Sequence, residues 1–147
     1  MRLTARSEYG LLALVEIASG GASPMSVREL SEHREMPVKF LEQLLAALKR
    51  GGVVRSVRGA HGGYVLARPA AQISVLEVVE ALEGPIAPSM CARESAECAQ
   101  SARCAAGAVW GRVSDAVRDV LSSATLEDLA TDQQRLDAVA SKSEELR

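Results

Sequence analysis

The chain has 147 residues, enough for one domain with a sizeable core or for a small domain with an added oligomerisation helix. With 48% hydrophobic but only 3% aromatic residues it suits a helical protein rich in Ala, Leu and Val, and no apolar run approaches the roughly 18 residues of a membrane span. The net charge of −2 conceals a division, 10 Lys/Arg against 6 Asp/Glu in residues 1–70 and 7 against 13 in residues 71–147, so an anionic partner is expected for the first half only.

Met1-Arg2-Leu3-Thr4 has none of the character of a signal peptide, and a cytoplasmic protein is expected. Between Tyr9 and Ala18, apolar residues at Leu11, Leu12, Leu14, Val15, Ile17 and Ala18 predict a helix with a broad buried face. Thr4 or Ser7 can cap its start, and Gly20-Gly21 ends it. Ser26 with Glu29 three residues on makes a capping box for a short helix from Val27 to about Arg34. Pro37 suits the first turn of a third helix, where its missing N–H costs nothing. That helix should run to Arg50, bury Phe40, Leu41, Leu44, Leu45 and Leu48, and stop at Gly51-Gly52. Three short helices with a tight turn between the second and third predict a helix-turn-helix. Val53–Val57 and Tyr64–Leu66 are β-prone runs around Arg58-Gly59-Ala60-His61-Gly62-Gly63, the pattern of a hairpin. A hairpin directly after a helix-turn-helix is a wing. Residues 1–70 are therefore expected to form a winged helix-turn-helix DNA-binding domain.

Ser74 can cap a further helix through Glu83, with Val75, Val78, Val79 and Leu82 on one side. Residues 84–106 read as a loop opened by Gly84, Pro85 and Pro88, and hold every cysteine of the chain: Cys91, Cys98 and Cys104. Three thiolates on one loop can hold a soft metal centre, an iron–sulfur cluster, zinc or copper(I). The C-x6-C-x5-C spacing lacks the close cysteine pairs of structural zinc. A thiol redox switch is the metal-free alternative. From about 105 to 123, Val109, Trp110, Val113, Ala116, Val117, Val120 and Leu121 recur at three- and four-residue steps, a seam wide enough for a partner helix. It is read as a homodimerisation helix, the alternative being that it packs on its own domain. Thr125 should cap a final short helix that ends the second domain at about 135, with residues 136–147 a flexible tail. The fold expected is mainly α with a small β-hairpin wing. No Ser-His-Asp set, nucleotide loop or acid pair is present and the only histidines are His33 and His61, so an enzyme is not expected.

Met1-Arg2-Leu3-Thr4, Phe40-Leu41-Glu42-Gln43-Leu44, Val57-Arg58-Gly59 with Gly62-Gly63-Tyr64, and three cysteines before Trp110 form a distinctive set. Over residues 1 to about 135 it closely resembles the bacterial Rrf-type winged-helix regulators, the family of IscR, NsrR and RirA, and in particular their iron–sulfur sensing branch. The resemblance implies a homodimer on a roughly palindromic operator in double-stranded DNA, with the third helix in the major groove and the wing in the minor groove. Lys39, Glu42, Gln43 and Lys49 face away from the Leu stripe and can reach DNA, where Glu accepts from cytosine N4 and Gln pairs with adenine. By the family pattern Glu42 is a base reader and Arg58 the minor-groove residue of the wing. Arg2, Arg6, Arg28, Lys49, Arg50 and Arg55 are candidate phosphate contacts, which position without specifying.

The same resemblance makes Cys91, Cys98 and Cys104 ligands of a 2Fe–2S or 4Fe–4S cluster. The IscR-like pattern has a histidine three residues after the last cysteine, where this chain has Gly107. The NsrR-like pattern uses a carboxylate near the amino terminus of the partner subunit, and Glu8 stands at that place. His33 and His61 fit surface or DNA-contact roles better than ligation. The function implied is transcription regulation, as repressor or activator, in response to redox state, nitric oxide, iron or cluster status. The alternative is a cluster-free or zinc-bearing winged-helix regulator that acts by thiol redox change or by binding a protein partner.

Overall fold

The computed structural model describes residues 3–87 and 104–145. Thr4 opens the first helix, α1 (Ala5–Ser19), by accepting from the Arg6 N–H. The apolar positions that follow place Ala13, Leu14 and Ile17 fully inside. The Ser26–Glu29 capping box starts α2 (Val27–Arg34), which ends at Glu35 in the left-handed region, φ 51°. That conformation costs a non-glycine residue about 1 kcal/mol. It is held by the Met36 N–H donating to Ser31 O (3.2 Å) and Ser31 Oγ donating to Met36 O (2.6 Å). The tight turn leads into α3 (Val38–Arg50), for which Pro37 is the N-cap rather than the first helical residue. Leu41, Leu44, Leu45 and Leu48 are fully buried, and Phe40 is partly so.

Strands β1 (Val54–Val57) and β2 (Gly63–Leu66) pair antiparallel, Val54 opposite Leu66 and Val57 opposite Gly63. Met25, just before α2, exchanges backbone hydrogen bonds with Tyr64 (3.0 and 2.8 Å), which fastens the hairpin to the start of α2. Only glycine fits at position 63, since a Cβ there would collide with the Met25 backbone. The wing expected after the helix-turn-helix is present.

After a 3-10 turn at Ala70–Gln72 come α4 (Val75–Glu83), α5 (Ala105–Ser122) and α6 (Leu126–Glu145). Helices α4 and α6 begin side by side: the Val75 N–H donates to Ala124 O (2.9 Å) and the Leu126 N–H to Ile73 O (3.0 Å). Each start carries its own reciprocal cap, Ser74 with Glu77 and Thr125 with Asp128. Helix α1 packs on both, and its approach to α4 depends on Gly10, whose Cβ would run into Leu82. One core group therefore joins Leu14, Ile17, Leu44 and Leu48 to Ile73, Val78, Leu82 and Leu126. Each such side chain contributes about 1.5–3 kcal/mol by leaving water. A smaller group, Val75, Val79 and Ile86, receives Val117 and Leu121 of α5. Arg118 pairs with Glu80, and Ser114 Oγ donates to Ile86 O (3.2 Å), which completes the seating of α5.

The last helix is longer than the sequence suggests. Instead of a short helix and a flexible tail from 136, α6 runs 20 residues to Glu145. Residues 131–145 contain no Gly or Pro, and Gln133 donates to Asp137 (2.8 Å) one turn on, so nothing local stops the helix. Of the expected cysteine loop, Cys91 and Cys98 lie outside the described residues, whereas Cys104 is the N-cap of α5. No helix among the described residues is long and apolar enough to cross a membrane.

Candidate nucleic-acid interface

Helix α3 turns its Leu stripe inward and leaves Val38, Lys39, Glu42, Gln43, Lys49 and Arg50 exposed. Glu42 is the only carboxylate on the helix. Positions four apart share a face, so Val38 and Glu42 form one row and Lys39 and Gln43 the next. Lys49 continues the first row and donates from Nζ to Ser56 Oγ on β1 (2.9 Å), so this row borders the wing. On the wing, Arg55 of β1 and Arg58, Ala60 and His61 of the tip are exposed. Lys39, Lys49, Arg50 and Arg58 make no ion pair among the described residues, which leaves a cationic surface shared by α3 and the hairpin, whereas Arg55 lies on the face of β1 opposite to that of Ser56 and lines a cleft with Ala18, Ala22 and Val65.

Other candidates are placed differently. Arg28 forms an exposed pair with Glu32 one turn on (2.9 Å), an interaction worth little in water that leaves the guanidinium available. Arg6 donates from Nε to Leu82 O (3.2 Å), satisfying the carboxyl end of α4 rather than facing the α3–wing surface. Arg2 lies outside the described residues. His33 Nδ1 stands 3.0 Å from Glu16 Oε1, a carboxylate that Arg34 also engages, and His61 lies on the wing tip.

Glu8 is exposed in the first turn of α1. The same turn is tied to the end of α4 by Glu83, whose Oε1 accepts from the Thr4 N–H (2.9 Å), Thr4 Oγ1 (2.6 Å) and Ser7 Oγ (2.8 Å). Burial opposes ionisation of Glu83, but the hydrogen bonds from Thr4 and Ser7 outweigh it and hold the carboxyl below the ordinary glutamate range. Cys104 is half-buried and makes no side-chain cap bond. A Cβ at Gly107 would lie 3.9 Å from Cys104 Sγ, so glycine there leaves the thiol unscreened on that side. Among the described residues no three His, Cys, Asp or Glu side chains form a group that could hold a metal, and Glu8 and Cys104 are not part of one.

Two features escape the sequence pattern. Glu83 meets partners 76 and 79 residues away, beyond any local motif. Val38 is an apolar residue off the Leu stripe; its signal is that a β-branched hydrophobe occupies a position where the helix faces water. On α5, Val109, Trp110 and Val120 are exposed (52%, 42% and 69%), so only part of the seam packs on its own chain.

Residues 3–132 match the Rrf2 family, described as iron-dependent transcriptional regulators. Protein Rrf2 of Nitratidesulfovibrio vulgaris is 40% identical over 133 residues, which are 90% of this chain and 89% of that protein. Among solved structures, CymR, described as the global cysteine regulator of B. subtilis, superposes with a TM-score of 0.73 at 35% identity, covering 89% of this chain and 97% of that one. IscR of T. potens gives 0.72 at 31% identity, with 90% and 88% covered. The family match spans the helix-turn-helix, the wing, α5 and the first turns of α6. This chain belongs to the Rrf2 family of winged-helix, DNA-binding transcriptional regulators.

Proposed function

We propose that the protein is a homodimer whose binding to a palindromic DNA operator is controlled by an iron–sulfur cluster, 2Fe–2S or 4Fe–4S, held by Cys91, Cys98, Cys104 and Glu8 of the partner subunit. The observation that carries this reading is Cys104, a half-exposed thiol at the start of α5 with no side-chain cap bond and no side chain at Gly107 to cover it. The donor set fits the group, since thiolates are the ligands iron–sulfur centres take and an exposed carboxylate can complete the set. The description of the family as iron-dependent supports it further. When bound, the cluster supplies an oxygen-ligated iron open to redox change and small molecules. The chain's own residues do the rest. Glu42 accepts from a cytosine, Gln43 and Lys39 face neighbouring bases, and Arg58 enters the minor groove. Lys49, Arg50 and Arg28 hold phosphates and fix the register. Glu83 ties the root of the cysteine segment to the turn that bears Glu8, so a change in the segment is felt by α1. Such a regulator works on the chromosome, in the cytoplasm.

The test is an anaerobic visible spectrum with iron and sulfide analysis on wild type, Cys98→Ala and Glu8→Ala. Wild type should carry two or four irons per subunit with matching sulfide, Cys98→Ala should carry none, and Glu8→Ala should hold iron less firmly. A second reading is favoured by the likeness to CymR, described as a cysteine regulator: control by thiol redox change without a cluster. It would show as iron-free protein whose DNA affinity changes on oxidation and recovers with a thiol reductant.

A further inference from the structure

We infer that Val38 is a specificity-determining residue of the DNA reader, packing on the 5-methyl group of a thymine beside the base pair that Glu42 reads. The inference rests on the proposal that α3 enters the major groove. Val38 is the first residue of α3, and the amino-terminal part of a recognition helix is the part that reaches base edges. It is 44% exposed, although every other Leu or Val of the helix is buried, and it belongs to neither core group. Its hydrophobicity is therefore not spent on folding this chain. It shares a row with Glu42, and that row borders the wing through the Lys49–Ser56 bond. Side chains one turn apart on a helix are about 5–6 Å apart, which spans one or two base-pair steps of about 3.4 Å. A β-branched side chain on a helix holds essentially one rotamer, so the two methyls of Val38 are presented without an ordering cost. Phosphate offers it nothing, since it has no donor. The thymine methyl is the one apolar group that B-DNA shows in the major groove.

The experiment takes the full chain, selects a duplex from a random library with the wild type, and replaces each thymine singly by deoxyuridine, which removes only the methyl. Affinities are read by fluorescence anisotropy for wild type, Val38→Ala, Val38→Ile and Glu42→Ala. Wild type should lose about fourfold at a thymine one or two base pairs from the cytosine whose discrimination Glu42→Ala abolishes, the value of one buried methyl. Val38→Ala should bind the parent duplex about fourfold more weakly and no longer distinguish thymine from deoxyuridine there, while Val38→Ile keeps the distinction. Far-UV circular dichroism and thermal melting should be alike for all four proteins, which shows them equally folded. Val38→Ala retaining the wild-type response at every thymine, or a wild type indifferent to every methyl, would overturn the inference while leaving α3 as the reader. A wild type that selects no sequence, or a Glu42→Ala variant with unchanged preference, would instead overturn the placement of α3 itself.

Discussion

Glu83 shows how one side chain joins distant parts of this chain. Its carboxylate receives three hydrogen bonds from the first turn of α1, and bonds to a charged acceptor are each worth about 1.5–3 kcal/mol. Sharing among three donors and partial exposure reduce the net effect, so Glu83→Gln is expected to cost about 1–2 kcal/mol at pH 7. The sign with pH follows from the lowered carboxyl. Stability from Glu83 is present above the unfolded-state value of about 4.3 and is lost as pH falls through the lower folded value. Urea midpoints should therefore differ between wild type and Glu83→Gln at pH 7 and converge as pH falls below about 4; an equal gap at both would contradict the assignment. Glu29, Glu77 and Asp128 are lowered as well, each first through the backbone N–H of its cap partner, Ser26, Ser74 or Thr125. Those three pairs are legible in the sequence because both partners lie three residues apart. Glu83 is not, since its partners become neighbours only after α1 and α4 have packed.

Helices differ in how much of their role can be read from periodicity. For α3 the Leu stripe leaves little ambiguity, and the charged face follows by elimination. For α5 the three- and four-residue steps identify an apolar helix but not which part is covered, because that depends on where α4 lies. The structure divides the seam. Val117 and Leu121 face Val75, Val79 and Ile86, whereas Val109, Trp110 and Val120 face outward. Exposed apolar groups of this size on one helix mark an interaction surface. If that surface holds a second copy, Val120→Asp should weaken the dimer at least tenfold in sedimentation equilibrium without lowering helix content. A variant that remains as dimeric as the wild type would assign the surface to something else. Helix α6 was hidden for the opposite reason. Leu136 and Val139 are 64% exposed, so its last turns bury little, and its helicity rests on residues that permit a helix rather than on an apolar stripe.

At the scale of the whole molecule the basic half and the acidic half share one core, for α1, α3, α4 and α6 all contribute to it. The charge division was visible in composition, and the winged helix in local pattern. What the pattern could not give is the mechanical connection: the cysteine segment leaves the end of α4, α4 is clamped to the start of α1, and Tyr9 of α1 meets Phe40 of α3 edge to face with ring centroids 5.8 Å apart. Under the proposed function, contacts of this kind are the route by which a change at the cysteines would bias the orientation of α3, provided the two states differ in free energy of binding. The most direct measurement is the affinity of anaerobically purified protein for its selected duplex, by fluorescence anisotropy at fixed salt, before and after iron is removed with a chelator. At least a tenfold change in Kd is expected, reversed when iron and sulfide are restored and absent in Cys98→Ala. Equal affinity in the iron-loaded and iron-free states would contradict control of DNA binding by the cluster.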